Sequence, residues 1–566
     1  MTDTQLIFDL FALMRHPTVA ETVAQPEAAY FSPWLLSLWL ALTAVAYAEI
    51  HYRVKGIPSY LYKAEPEIVF DLPYRGQAGQ PIPLFLFIKD ADRFPATLER
   101  LKISIAASPA AVTHLESELE QRIEAKFFSW TFQVPARHFS QPGHYRVLAE
   151  LSYRVNNRPR RLRQDNYRSI PRKAFSINIS ADPLPALPGW HWGDLHLHSN
   201  FTDDQVEFGA PLRETALCAR AVGLSFIAVT DHSYDLDDAP GNYLANDPNL
   251  PKWHQLLEEC ERCTGLFPGF VALAGEEVSA GNERGQNVHC LVLGNRAFYP
   301  GSGDGGEKLF ENRPTLFLEE LFRRVQNAAE GAIIAAAHPF DQPPLSQQWV
   351  LNRGYWRRED LYREGLDYWQ ILNGLRDDSF EQGLRTWIEA LLAGRRIGIL
   401  AGTDAHGNFN CFRQVSIPFF KMVRRRRQLL GETRTGIYSE KPLSRAALLE
   451  ALKQKRTIIS DGPAAELSVY QEGRLYRIGD TARANLPATV KIAAQSSREF
   501  GGLTSMLLCL GERGQKEERE MLIPLPGEAY RHQTGVEFPG GLPVGYARLA
   551  VHAGERLCLT NPVWVE

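Results

Sequence analysis

Cysteine is scarce in this 566-residue chain: there are seven, an odd number, too few and too scattered for a disulfide framework. Cys260 and Cys263 form one CxxC in KWHQLLEECERCTGLF, and the lack of a second CxxC excludes a four-cysteine zinc site. At i and i+3 of an expected helix they read as structural thiols. An excess of either charge is also lacking: 62 Lys and Arg stand against 66 Asp and Glu, a net charge of −4. No field of one sign would draw the whole molecule onto nucleic acid or anionic lipid. One dense basic run, Arg424 to Arg427, reads as a solvated helix face, with a phosphate-steering patch as the alternative. There is no G-x-S-x-G elbow and no Walker loop; GSGDGG at 301–306 lacks the Lys-Ser/Thr ending. Internal repeats and low-complexity tracts are absent.

Long apolar runs are rare, with one exception. Ala29 to Ala48 is AYFSPWLLSLWLALTAVAYA, 20 residues without a charge. That is long enough to cross a bilayer as a helix. A retained N-terminal membrane helix is the expectation for 29–48. A cleaved signal, for which Ala46-Tyr47-Ala48 resembles a processing site, and a buried soluble helix are the alternatives. Arg53 and Lys55 follow the run, while four acids and one Arg precede it, so basic residues lean toward a cytoplasmic catalytic part. The side of the membrane is left open.

What is present suggests several domains. Residues 1–57 form the N-terminal segment. Over 58–180, runs such as IPLFLFIK, LKISIA, FFSWTFQV and AFSINIS are short, β-branched and aromatic, and predict a β-sandwich. The proline-rich ADPLPALPGW reads as a linker. Within 189–462 a helical pattern leads three times into an apolar strand that ends in His or Asp/His: LRETALCARAVGL into SFIAVTDH, LFLEELFRRVQNAAEG into AIIAAAHPF, and FEQGLRTWIEALLAGRR into IGILAGTDAH. That alternation predicts an α/β domain of parallel strands. Functional groups at strand C-terminal ends are where a (β/α) barrel builds its site. From 463 to 566 short strands return, and a second β-sandwich is expected.

Eight of the fifteen histidines fall between His191 and His406. Six of these stand in strand-end or post-strand settings: His196, His198, His232, His289, His338 and His406. Carboxylates Asp203, Asp231, Glu277 and Asp404 accompany them. Buried together, such imidazoles need a shared partner. Imidazole with carboxylate suits Zn, Mn or Fe. In GDLHLH the two histidines share one face because strand side chains alternate.

DLHLHSNFTDD, VTDHS, AGEEVS, VHCLVLG, AAHPF and GTDAH, in this order, resemble the motifs of the PHP (polymerase and histidinol phosphatase) metallohydrolases. With the flanking β regions, the chain resembles the branch that includes carbaryl hydrolases. The resemblance implies a distorted (β/α)7 barrel, TIM-like in plan, flanked by N- and C-terminal β-sandwich domains. It implies two or three divalent transition metals. His196, His198, Asp404 and Glu277 would hold the first ion; Glu277, His289 and His338 the second; Asp203, His232 and His406 a third. Family spacing selects Glu277 over Glu276 and Asp203 over Asp204, and makes Asp231 a supporting or capping group. The ions would share a hydroxide that attacks phosphorus or a carbonyl carbon. Asp404 balances their charge, and a leaving-group proton could come from His232 or His338 if one of them is not fully ligated.

The expected activity is therefore a metal-dependent phosphoesterase acting on a small phosphorylated molecule or a nucleotide end; nucleic acid is not otherwise indicated as a partner. A carboxyl-ester or carbamate hydrolase on the same ligands is the alternative, since the ligands do not separate the two. Cations at the mouth would favour phosphate, with Arg284 and Arg413 beside the motifs. A non-catalytic binding protein would lack ligands, and here each family position is filled.

Overall fold

The computed structural model describes residues 65–107, 112–167, 170, 172–202, 209–303, 312–328, 331–416, 421–425 and 427–566. The 29–48 run and Asp203 lie outside them. Among the described residues no helix is long and apolar enough to cross a membrane.

The N-terminal strands form two sheets. One joins Glu67–Asp71, Ile82–Lys89 and Phe127–Val134; the other is six-stranded and centred on Ala96–Ala107 and Gly143–Val155. Alternation sets their register. In Ala96–Ala107 every second side chain over much of the strand is buried, and the inward set Leu101, Ile103 and Ile105 shares one core with Ile82, Leu84 and Leu86 of the other sheet. Ile82–Lys89 is buried almost throughout. Its other face supplies Phe85 and Phe87, packed with Phe409 at ring-centroid distances of 5.0 and 6.2 Å. The N-terminal sheets are thereby joined to the part of the chain that carries the histidines.

The histidine-bearing strands lie in one large curled sheet of 16 strands. Its order runs Gly398–Gly402, Tyr368–Asn373, Ile333–Ala336, Asn287–Leu293, Val271–Gly281, Phe226–Val229 and Trp190–His198. It then continues through Arg434–Tyr438 and Thr457–Ser460 into the C-terminal strands Arg556–Thr560, Gly545–Ala553 and Leu503–Glu512. A further four-stranded sheet contains Ala464–Gln471 and Ala488–Gln495.

This arrangement corrects the expected (β/α)7, TIM-like barrel. The described residues are mostly β, with 33 strands against eight α-helices. Val271–Gly281 pairs antiparallel with Asn287–Leu293, which pairs antiparallel with Ile333–Ala336. Only the turn at 282–286 joins the first two, with Gly285 at φ 69, too short a link for the crossover a parallel pair needs. On the far side Trp190–His198 runs antiparallel to Arg434–Tyr438, so the sheet continues into the C-terminal region. The three helix-to-strand passages do form, with helices Leu212–Val222, Leu318–Asn327 and Asp378–Leu392. The basic run does not begin as a helix: its Arg424 and Arg425 lie in the strand Lys421–Arg425, paired with Phe412–Ser416.

Candidate metal centre

The Trp190–His198 strand carries His196 and His198, both fully buried, on one face. Neighbouring strand ends are stitched beside it. Asp404 N donates to His196 O at 2.8 Å, Glu277 N to Asp231 O at 3.0 Å, and Ala337 N to His289 O at 3.2 Å. These links set the side chains of separate segments around one point.

That point is the Glu277 carboxylate, 1% exposed. Five imidazoles face it. His289 Nδ1 lies 2.8 Å and His338 Nε2 3.2 Å from Oε1, with His196 Nε2 at 3.3 Å. His232 Nδ1 is 3.0 Å and His198 Nε2 3.4 Å from Oε2. Asp404 Oδ1 adds a second carboxylate, 3.1 Å from His198 Nε2 and 3.5 Å from His196 Nε2. His406 stacks on His198 with centroids 4.0 Å apart, and its Nδ1 donates to Asp404 O at 3.1 Å. His338 and Asp404 hold φ of 30 and 53, a costly backbone for residues with side chains, and one that recurs at functional sites.

Electrostatics divides the rings. Burial disfavours the charged form of His196, but Glu277 and Asp404 outweigh it and lift the ring to about 9. His198, equally buried and beside His406 and His232, is held well below the ordinary histidine range. Burial also opposes charge on Glu277, yet His289 and His196 hold its carboxyl well below the usual range. Against the same burial, His196 and His198 do likewise for Asp404.

The donor set suits a cation. At this site, donor atoms within 4.8 Å of one another come from three groups: His196, His198, Glu277 and Asp404; His232, Glu277 and His289; and His198, His232 and His406. Nε2 of His196 and Oε2 of Glu277 are buried with no hydrogen bond satisfying them, an expense that a shared ion would remove.

Several supporting groups escaped the sequence reading. Gln370 Oε1 lies 2.8 Å from His196 Nδ1 and also accepts from His338 N at 3.4 Å, which turns His196 Nε2 toward Glu277. An amide in the middle of the apolar strand Tyr368–Asn373 was its signal. Asp194 accepts from the backbone N of His196 (3.2 Å), Thr403 (3.1 Å) and Gly431 (3.1 Å), tying the strand to the Asp404 turn. Gln428 Nε2 donates to Asp404 Oδ2 at 3.3 Å. Tyr234 stacks on His232 at 4.7 Å.

Asp231 takes four hydrogen bonds from Ser199 and Thr202 and so secures the loop after His198. Glu276 turns away from the cluster, to Asn295 Nδ2 at 2.6 Å and Tyr299 N at 3.1 Å. Neither cation named beside the motifs serves the site. Arg413 is locked to Asp71 at 2.9 Å, and Arg284 is exposed on the 282–286 turn. Among the described residues Arg353 brings a cation to the cluster, its Nη2 lying 2.6 Å from His289 Nε2 and 3.3 Å from His289 Nδ1. Cys260 and Cys263 are buried in the helix Pro251–Leu266, and burial pushes the Cys263 thiol up to about 12 and that of Cys260 well above its ordinary value.

Comparison with protein-family models gives no match, and no curated protein matches the chain. Among solved structures, the chain is similar to a late embryogenesis abundant protein at 10% identity over 28% of this chain and 96% of that one, with a TM-score of 0.17. It is also similar to native E. coli alpha-2-macroglobulin at 9% identity over 91% of this chain and 24% of that one, with a TM-score of 0.13.

Proposed function

We propose that this chain is a metal-dependent hydrolase, and that it acts as a phosphoesterase on a small phosphorylated molecule. The observation that carries the proposal is the buried Glu277 carboxylate with five imidazole nitrogens 2.8–3.4 Å away. One carboxylate cannot satisfy five rings, whereas divalent ions between them can. Imidazole and carboxylate donors favour Zn, Mn or Fe, two or three per chain. His196, His198, Asp404 and Glu277 would hold one ion. His289 and His338 would hold a second with Glu277, and His232 and His406 would serve a third. The motifs resembling PHP metallohydrolases point the same way.

Bound there, the ions would supply Lewis acidity, which lowers the pKa of water from about 15.7 toward roughly 7 and offsets charge on the attacked group. The chain's own part is positioning. Gln370 orients His196, Asp194 fixes the Asp404 turn, and burial excludes bulk water. Arg353 at the cluster favours phosphate over a carboxyl ester, because a guanidinium fork matches phosphate oxygens. The His338 side chain is 21% exposed against 7% for His232, so when its Nε2 holds no ion His338 is the ring better able to pass a proton to a leaving group and regain one from solvent.

A panel of phosphomonoesters, phosphodiesters and carboxyl esters, assayed with Mn, Zn and Fe, tests the proposal. Metal-dependent turnover confined to phosphate esters is expected. Turnover of carboxyl esters alone would overturn the phosphate assignment, and no metal-dependent turnover of any kind would overturn the hydrolase reading.

A further inference from the structure

We infer that Arg427 stands at the mouth of the metal centre as the anchor for a second anionic group of the substrate, so that the ester this chain hydrolyses best carries another phosphate, or a carboxylate, beside the phosphate at the ions. The inference rests on the metallohydrolase reading above and narrows its substrate class.

The centre opens to solvent on one side. The side chains of His196, His198 and Glu277 are buried, whereas those of Asp404 and His338 are 18% and 21% exposed. A substrate therefore enters past Asp404 and His338. Gln428 is seated on the Asp404 side of that opening. Its Nε2 donates to Asp404 Oδ2 at 3.3 Å, and its Oε1 accepts from Arg427 Nε at 3.2 Å. One amide thus links the guanidinium to a carboxylate expected to hold an ion. Arg427 stands two hydrogen bonds out from the centre, and a group it grips is not the one bound at the ions.

The guanidinium is held and still has donors to give. Its Cζ lies 5.3 Å from the ring centroid of Phe412, which steadies one face. Only Nε is taken up by Gln428, and among the described residues Arg427 makes no ion pair. Arginine has five donors in a planar fork that matches two oxygens of a phosphate or carboxylate. The backbone beneath it is strapped in place. Leu430 N donates to Asn408 O at 2.9 Å and Gly431 N to Asp194 Oδ2 at 3.1 Å. A Cβ on Gly374 would lie 3.2 Å from the Cα of Gln428, which takes a φ of 51. Arg427 is also the last of four consecutive arginines in a chain of net charge −4. The basic run therefore ends at the metal centre, where a positive field draws anionic substrates in.

The test uses three flexible esters that differ at the far end: butyl phosphate, 3-carboxypropyl phosphate and butane-1,4-diyl bisphosphate. Their kcat/KM values are measured with Mn2+ or Zn2+ for the full-length chain, Arg427→Met and Arg427→Lys. Wild type should favour a dianionic ester over butyl phosphate by about tenfold, chiefly through KM. For the bisphosphate this must exceed what its two equivalent ends account for. A preference for the carboxylate ester or for the bisphosphate identifies the group that Arg427 holds. Added salt should narrow the preference, because charge at an open rim is screened. Arg427→Met should bring the three esters together. Arg427→Lys keeps the charge but not the fork; its preference should fall between those of the other two proteins, and it carries the test if the methionine variant does not fold. A merely structural role would lower all three esters alike and leave their ratios in place. Equal kcat/KM for the three esters in wild type, or a preference that survives in the folded Arg427 variants, would overturn the inference. No metal-dependent turnover of any of them by wild type would overturn the hydrolase reading itself, and this inference with it.

Discussion

A Cβ placed on Gly402 would lie 2.6 Å from the Cβ of His196 and 2.9 Å from its backbone N. The strand that leads into Asp404 therefore approaches the strand carrying the H-x-H pair more closely at Gly402 than any side chain allows. That closeness brings Asp404 Oδ1 to 3.1 Å from His198. Gly402→Ala should force the strands apart at an overpacking cost of about 1–3 kcal/mol. A thermal melt alongside metal analysis checks this; the expected result is a lower Tm together with weaker metal retention. Wild-type values of both would mean that the approach is not needed.

Asp404→Asn keeps the size of the side chain and removes the charge that balances cations. The fold should survive, as read by circular dichroism. Turnover of the best panel substrate should fall by more than the roughly 10–100-fold typical of losing an outer-shell partner. Near wild-type turnover would show that Asp404 does not serve an ion.

Gln370→Leu fills the same strand position without the amide. His196 Nδ1 loses its partner and the ring is free to turn. Metal affinity should drop by about 10–100-fold. Gln370→Glu, which keeps an acceptor for Nδ1, should restore most of it. Equal affinities in all three proteins would remove Gln370 from the site.

The double substitution Cys260→Ser and Cys263→Ser should leave metal content and activity unchanged. Both thiols are buried and held protonated. Hydroxyls in their place should lower stability by about 1–3 kcal/mol unless they find hydrogen bonds. Loss of one zinc per chain in that variant would reveal a thiolate site.

The residues gathered at Glu277 stand in the sequence at the ends of apolar runs, as in IIAAAHPF and ILAGTDAH, and such runs announce themselves by composition. The supporting groups do not. Gln370 sits in a strand that no helix-to-strand passage had marked out, and Arg353 in a segment without periodicity. The barrel expectation failed at a definite place. Three helix-to-strand passages suggested parallel strands throughout, but the chain between Gly281 and Asn287 holds a turn and no helix, so the sheet reverses direction there. At Arg424 to Arg427 a run of one charge fitted a helix face, and pairing with Phe412–Ser416 drew Lys421–Arg425 into a strand instead. Pairing across the sheet is a long-range choice that a local pattern does not contain.

The most direct measurement is the metal content of the purified full-length chain after reconstitution, compared with that of His196→Ala. Wild type should hold two or three transition-metal ions per chain. The variant, with one member of the H-x-H pair removed, should lose metal and activity together. Less than one equivalent of metal in wild type, or the same content in both proteins, would contradict a metal centre built around Glu277.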